Sequence, residues 1–261
     1  MKIIHLSDLH IGYKHKNEIF PMTGRVDKII DYLIALKVPH REYTIVITGD
    51  MVDNAFNDEN YETARELIGK LKEKFRVFMV PGNHDYGTGV MTNKKFIKKF
   101  KKYFLEDDVE YPKVDLIDDI VFIGLDSMAE EVNWYDTLGA NGELGKEQLN
   151  RLDKIIDRYK NSKKVVYLHH HPFHPTFLHE LKDSESLGKV VANRIDALLF
   201  GHNHAGDNLN GGKGWNIKRC YDGGSSTRKE KSRSATRIID LNDEPRSDYM
   251  MEIITDSDLE R

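Results

Sequence analysis

The chain has 261 residues, of which 39% are hydrophobic and 31% charged, a composition that suits a globular protein with a sizeable core and excludes intrinsic disorder. Its 39 basic residues stand against 43 acidic ones, and the resulting formal charge of -4 disfavours binding to a nucleic acid duplex by charge alone. The only cysteine, Cys220, excludes an internal disulfide and a thiolate metal cluster.

Strands and helices alternate along most of the chain. Its first part predicts a strand at residues 2–6, a helix at 25–36, a strand at 43–48, a helix at 60–72, a strand at 75–80 and a helix at 93–104. Further on, the pattern predicts a hairpin of strands 114–117 and 120–125, a helix at 143–159, strands at 164–168 and 195–200, and a strand-rich C-terminal third. The alternation indicates a layered α/β fold, and because no composition shift marks a linker, we expect one domain over residues 1–261. Residues 223–227 and 229–233 predict a solvated loop.

Five polar clusters follow predicted strands at their C-terminal ends. They are Asp8-Leu9-His10, Gly49-Asp50-Met51-Val52-Asp53, Gly82-Asn83-His84-Asp85, His169-His170-His171-Pro172 and Gly201-His202-Asn203-His204. Ligands of open α/β sheets bind at this edge, so the clusters converge on one site if the strands share a sheet. Carboxylate, imidazole and amide ligands without a thiolate suit Mn, Fe or Zn.

The number of candidate ligands exceeds the needs of one ion. Seven residues qualify: Asp8, His10, Asp50, Asn83, His170, His202 and His204. A catalytic zinc typically has about three protein ligands, so seven divide over two ions if one carboxylate bridges them. Each cluster alone also suits a strand-ending turn or a solvated loop without metal. Five clusters in this order favour the metal site.

The motifs D-x-H, G-D-x-x-D, G-N-H-D, H-x-P and G-H-x-H occur in order from Asp8 to His204. In this the sequence resembles the calcineurin-like metallophosphoesterases, and most of all their cyclic-nucleotide and glycerophosphodiester phosphodiesterase branch. The resemblance implies an α/β fold, namely a four-layer α/β/β/α sandwich with two central mixed sheets flanked by helices.

The same resemblance implies the ligands of two metal ions. The first ion is expected on Asp8, His10, Asp50 and His204. The second is expected on Asp50, Asn83, His170 and His202, with Asp50 as the bridge. The H-x-P spacing selects His170, two residues before Pro172, and leaves His169 packed in the sheet edge at the end of its strand.

The resemblance also implies roles for residues that are not ligands. His84 is expected to stabilise the transition state or to protonate the leaving oxygen, with Asp85 orienting it and Asp53 supporting the centre. The loop around Trp134 and Tyr135 and the segment 173–179 predict a cap over the site. Trp134, Tyr135 and His171 are candidate substrate contacts. Ordinary packing of aromatic residues in loops accounts for Trp134 and Tyr135 equally well.

The implied function is a phosphoesterase in which a metal-bridging hydroxide attacks phosphorus, since two cations lower the pKa of water towards ~7. We expect a small phosphate ester as substrate, with a phosphodiester such as a cyclic nucleotide favoured over a monoester. The alternatives are a DNA nuclease of the same superfamily and a non-catalytic binding module on the same fold. No run approaches the ~20 apolar residues of a membrane span and the N-terminus predicts no signal peptide, so we expect a cytoplasmic protein without a membrane partner.

Overall fold

Two five-stranded β-sheets lie at the centre of the structure, a computed structural model that describes residues 1–14, 21–88, 91–105, 109–131, 140–173, 179–227 and 236–259. The strands in these ranges are β1 (Lys2–Leu6), β2 (Tyr43–Thr48), β3 (Arg76–Val80), β4 (Lys113–Ile117), β5 (Ile120–Gly124), β6 (Lys163–Tyr167), β7 (Ala197–Phe200), β8 (Arg219–Asp222), β9 (Thr236–Asp240) and β10 (Tyr249–Met251). The helices are α1 (Met22–Ala35), α2 (Asp58–Lys72), α3 (Lys95–Phe104), α4 (Lys146–Arg158), α5 (Ser184–Val191) and the short α6 (Asp256–Leu259).

Both sheets are mixed. The first has the order β10-β9-β1-β2-β3, in which β1, β2 and β3 run parallel, while β9 is antiparallel to both β1 and β10. The second has the order β4-β5-β6-β7-β8, in which β5 to β8 run parallel and β4 forms an antiparallel hairpin with β5. The predicted hairpin is therefore confirmed.

Three apolar layers hold the sheets and helices together. Along β1, Ile4 and Leu6 pack with helices α1 and α2, whereas Ile3 faces the second sheet. This alternation follows from the two-residue period of a strand. Val165 of β6 lies in the same layer between the sheets, and Val166 packs outward with the core that contains α4 and α5. The result is the expected α/β/β/α sandwich.

Helix ends agree with the local sequence. Asn57 caps α2 by accepting a hydrogen bond from the amide of Glu59, and acidic residues in the first turn and lysines in the last turn complement the helix dipole. The sequence pattern does not predict helix α5, because its eight residues give only a short periodic run. Within the described ranges, no helix has the length and apolar character needed to cross a membrane.

The polar clusters follow strands of both sheets rather than of one. Asp8, Asp50 and Asn83 come after β1, β2 and β3 of the first sheet, and His169 and His202 come after β6 and β7 of the second. His169 of the second set contacts both Asn83 and Asp50 of the first, so these strand ends meet at one edge of the sandwich. The expectation that the clusters converge is confirmed, but the convergence spans two facing sheets.

Candidate metal centre

The turns that carry the polar clusters have an unusual backbone. Five of the nine non-glycine residues with positive φ in the described ranges belong to this region: Asp8, His10, Asp50, His202 and His204. Their φ values run from 46° to 75°, in the left-handed region that side chains with a Cβ disfavour. Such conformations persist only where surrounding contacts enforce them, and they concentrate at functional sites.

One group of side chains gathers around Asp8, and we call it the Asp8 group: Asp8, His10, Asp50 and His204. His204 Nε2 lies 3.3 Å from Asp8 Oδ1 and 3.2 Å from His10 Nε2. His10 Nε2 also lies 3.7 Å from Asp50 Oδ2. All four are residues of the first predicted ligand set, so the structure brings that set together.

A second group shares Asp50 and contains Asn83, His169 and His202, and we call it the His169 group. His169 Nε2 lies 2.9 Å from Asn83 Oδ1, 3.2 Å from His202 Nδ1 and 3.6 Å from Asp50 Oδ2. Its other nitrogen, Nδ1, donates to the Thr48 carbonyl oxygen at 2.7 Å. The side chain that contacts Asp50 and Asn83 is therefore His169, at the place where the sequence prediction put His170.

The register of the histidine run differs from the prediction for a structural reason. Strand β6 ends at Tyr167, so the alternation of strand side chains does not extend to His169 and His170. His170 instead shares a hydrogen bond of 2.8 Å between its Nδ1 and Ser127 Oγ, and its ring packs 4.6 Å from that of His202. The prediction left His169 packed in the sheet edge; in the structure it is buried there, and its Nε2 also contacts Asn83 and Asp50.

His84 stands at the more open side of the centre, with 18% of its side chain exposed. Its Nδ1 donates to the Asp53 carbonyl oxygen at 2.6 Å, and the Asp53 carboxylate lies 3.4 Å from His10 Nδ1. Asp53 therefore orients both rings. Asp85, which was predicted to orient His84, directs its carboxylate elsewhere: it accepts hydrogen bonds from the amides of Val52 and Gly82. Burial, followed by the charge of Asp50, raises the pKa of Asp85 to about 7.

The donor atoms of both groups fit metal cations. Since His169 Nδ1 donates to a carbonyl, a neutral His169 has a lone pair on Nε2, which faces the oxygens of Asn83 and Asp50. The nitrogen and the two oxygens are then all acceptors. A proton or a metal cation between them removes this repulsion. Burial lowers the pKa of His169, but the carboxylates of Asp50 and Asp8 outweigh it and leave the pKa raised. His202 Nε2 is buried without a hydrogen-bond partner among the described residues.

The charge states also suit cations. Burial raises the pKa of Asp8, but the hydrogen bond and charge of His204 outweigh it and lower the pKa to about 2, so Asp8 is a carboxylate. Burial, and then the charges of neighbouring histidines, hold the pKa of His202 well below its usual value. Neutral imidazole is the form that binds a metal.

Two glycines keep this edge compact. A Cβ on Gly82 would overlap the Asp50 carboxylate, and a Cβ on Gly201 would overlap Ser7 Oγ and lie 2.5 Å from Asp8 Oδ2. Only glycine lets these turns approach the carboxylates so closely.

The remaining predicted site residues lie apart from the donors or beyond the described ranges. Trp134 and Tyr135 lie outside the described residues, as do residues 174–178 of the predicted cap. His171 is buried, with its Nδ1 accepting from the Phe173 amide and its ring 4.6 Å from Phe200. Exposed His179 was not singled out by any motif, yet its ring centroid lies 5.6 Å from that of His202.

Sequence comparisons agree with the geometry. A family model described as calcineurin-like phosphoesterase matches residues 1–206. The chain is 26% identical over 176 residues to the "probable glycerophosphodiester phosphodiesterase GpdQ" of Arcobacter nitrofigilis, covering 66% of this chain and 58% of that protein. It is 25% identical over 212 residues to a "probable cyclic nucleotide phosphodiesterase" of Coxiella burnetii, covering 78% of this chain and 76% of that protein. This chain thus spans less than two thirds of the first relative's length.

Solved structures share the fold. The calcineurin-like phosphoesterase YfkN of Bacillus subtilis superposes with a TM-score of 0.54 at 14% identity, covering 97% of this chain and 88% of that one. At this identity the likeness concerns the arrangement of the sheets and helices.

Proposed function

Because the chain belongs to the calcineurin-like phosphoesterase family, we propose that it is a phosphodiesterase that hydrolyses a small phosphate ester with two metal ions. The Asp8 group would hold one ion and the His169 group the other. Asp50 would bridge them. His169 would be the ligand in place of His170, because its Nε2 contacts Asn83 Oδ1 and Asp50 Oδ2.

One observation carries the two-ion proposal. Asp50 Oδ2 lies between the two groups, 3.7 Å from His10 Nε2 on one side and 3.6 Å from His169 Nε2 on the other. A single carboxylate that faces imidazoles of two separate ligand sets is the arrangement that a bridged pair of cations requires. Bound there, such a pair would supply a hydroxide from water near neutral pH and offset negative charge on the phosphoryl oxygens.

The chain's own residues would orient the substrate and move a proton. The hydrogen bond from His84 Nδ1 to the Asp53 carbonyl fixes the ring and leaves Nε2 for the substrate. We propose that His84 acts as an imidazolium, whose Nε2–H stabilises charge on phosphorus-bound oxygens and is then delivered to the leaving oxygen, which leaves a neutral ring with its remaining proton on Nδ1. Asp53 contacts both His84 and His10, so it fixes the position of the proton donor relative to the first ligand set.

The substrate class rests on relatives and on charge. The two relatives above carry the names of a glycerophosphodiester and a cyclic nucleotide phosphodiesterase, both of which act on small diesters. The formal charge of -4 offers no general attraction to a nucleic acid duplex. We therefore favour a small phosphodiester over a phosphomonoester or a polynucleotide.

The test measures metal content and turnover on the same preparation. Wild-type protein reconstituted with Mn²⁺ is expected to hold two ions by elemental analysis and to hydrolyse bis(p-nitrophenyl) phosphate faster than p-nitrophenyl phosphate. Asp50→Asn is expected to lose bound ions and activity. Asp118→Asn is the matched control, because Asp118 has the same left-handed backbone in the exposed β4–β5 turn.

Each alternative has its own result. One ion per chain at saturation would contradict the bridged pair, and faster monoester turnover would contradict the diester preference. Cleavage of single-stranded DNA with little turnover of cyclic nucleotides would show a nuclease. Metal binding without hydrolysis of any ester would show a binding module.

A further inference from the structure

The chain that follows β8 returns to the Asp8 turn. Asp222 Oδ1 accepts from the Gly224 amide and closes a tight turn, after which Ser225, Ser226 and Thr227 are completely buried. The sequence pattern predicted a solvated loop here, and the structure shows that this is wrong for residues 223–227. The family match ends at residue 206, so these residues lie beyond it.

Segment 225–227 attaches to the end of β1 through paired hydrogen bonds. The Ser226 amide donates to the Ser7 carbonyl oxygen at 3.0 Å, and Ser226 Oγ accepts from the Ser7 amide at 3.0 Å. Ser7 Oγ in turn donates to Asp8 Oδ2 and lies 2.8 Å from Thr48 Oγ1. One serine pair therefore fixes the backbone immediately before Asp8 as well as one oxygen of its carboxylate.

The neighbouring hydroxyls reach the carbonyl of Asp8 itself. Ser225 Oγ donates to Asp8 O at 3.1 Å, and Thr227 Oγ1 lies 3.4 Å from both Asp8 O and Leu9 O. Asp8 has φ of 52°, in the left-handed region, which non-glycine residues seldom adopt without supporting contacts. The direction of its C=O bond is coupled to this backbone conformation, and the backbone in turn directs the side chain into the centre.

We propose that Ser225 and Thr227 are positioning residues for Asp8. Their hydroxyl groups hold the left-handed turn that directs the Asp8 carboxylate towards the first ion. This inference rests on the proposed function, since it assigns to segment 225–227 a role at that same centre. The hydrogen bonds of the two hydroxyls end on the backbone of Asp8 and Leu9, in the turn that carries the first ligand set. Loss of a hydroxyl therefore weakens the first ion and spares the second.

The experiment compares Thr227→Val, which removes the hydroxyl at nearly constant volume, with Thr227→Ser, which keeps it. Mn²⁺ titrations of the full chain give two affinities, which are assigned by His10→Ala for the first ion and Asn83→Ala for the second. Thr227→Val and Ser225→Ala are expected to weaken the first ion by ~10–100-fold, as the loss of an outer partner of a ligand does, and to change the second by less than ~3-fold. Thr227→Ser is expected to restore the first affinity.

The matched control is Thr44→Val. Thr44 is also completely buried in the first sheet, but it stands at the opposite end of β2. If Thr227→Val lowers the melting temperature of the metal-free protein as Thr44→Val does and leaves both affinities unchanged, the hydroxyl serves only the fold and the inference is overturned. Equal weakening of both ions would also overturn it. If Thr227→Val does not fold, Ser225→Ala carries the same comparison.

Failure of the proposed function gives a different result. Wild-type protein that binds fewer than two Mn²⁺ ions or hydrolyses no phosphate ester would contradict the proposed function before any variant is compared. Wild-type protein with two ions and normal turnover, combined with unchanged variants, would contradict only the role of segment 225–227.

Discussion

His169→Ala is expected to weaken metal binding in the His169 group much more than His170→Ala does. His169 Nε2 lies within 3.6 Å of donor atoms of Asn83, Asp50 and His202, so the substitution removes one of four converging donors. Among the described residues, His170 pairs its Nδ1 with Ser127 Oγ and makes no such contact with Asn83 or Asp50. His169 is therefore expected to act as a direct ligand, and His170 as a residue that supports the site from outside.

The magnitudes follow from that difference. Loss of an outer partner typically weakens a metal site by ~10–100-fold, which corresponds to about 1.4–2.7 kcal/mol. His170 lies with His169 and His202 in a cluster whose ring nitrogens are within 4.8 Å of one another, but among the described residues it has no contact with Asp50 or Asn83, so we expect His170→Ala to fall within or below that range. Loss of a direct ligand must exceed it, so His169→Ala is expected to weaken the second ion by more than ~100-fold.

Mn²⁺ titration of both variants and of His40→Ala measures the effect. His40 is a suitable control because its ring packs 4.7 Å from Phe75 in the turn before β2, at the end of the strand away from Asp50. Thermal unfolding of the metal-free variants shows whether loss of the bond from His169 to the Thr48 carbonyl disturbs the fold. Equal weakening in the two variants, or a larger effect from His170→Ala, would refute the assignment.

Three further substitutions test other parts of the structure. His84→Ala is expected to keep both ions by elemental analysis and to lower turnover by ~10²–10⁴-fold, whereas lost metal would mean that His84 is a ligand. Gly201→Ala is expected to weaken the first ion in Mn²⁺ titrations, since its Cβ would displace the Asp8 carboxylate, and an unchanged affinity would contradict the steric argument. Burial raises the pKa of Asp126 to about 6, so the folded state binds its proton more tightly than the unfolded chain and loses stability as pH rises from about 4 to 6. Urea unfolding measures the free energy of unfolding of Asp126→Asn and of wild type. Their difference is expected to shift in favour of Asp126→Asn by up to about 3 kcal/mol over that range and then to level off. A difference that stays constant with pH would disprove the raised pKa of Asp126.

Much of the centre was predictable because its residues follow strands directly. A strand places the next few residues at a known edge, so Asp8, Asp50 and Asn83 could be brought together from sequence alone. The same reasoning does not give the orientation of the side chains in the histidine run, because β6 ends two residues before His169 and the turn geometry there depends on contacts with Thr48 and Ser127. Those partners lie more than forty residues away along the chain.

Segment 225–227 shows a second limit of sequence patterns. Glycine and serine runs are typical of solvated turns, since small polar residues are satisfied by water. Here Ser226 and Ser7 satisfy one another in the interior, and Arg25 of α1, also buried, donates to the Thr227 carbonyl oxygen at 3.2 Å. Such burial depends on partners about 200 residues distant, which no local pattern indicates.

The centre draws its donors from both halves of the sandwich, with Asp8 and Asp50 following strands of one sheet and His169 and His202 following strands of the other. Ions shared by these donors would cross-link the two sheets at one edge, much as a disulfide joins two segments of chain. An ion that binds only the folded state adds about 2.7 kcal/mol of stability at a hundredfold excess over its Kd. Removal of the ions by a chelator is then expected to destabilise this edge first. Amide hydrogen exchange would become faster at the C-terminal ends of β2 and β6, while the amides at the opposite edge keep their protection.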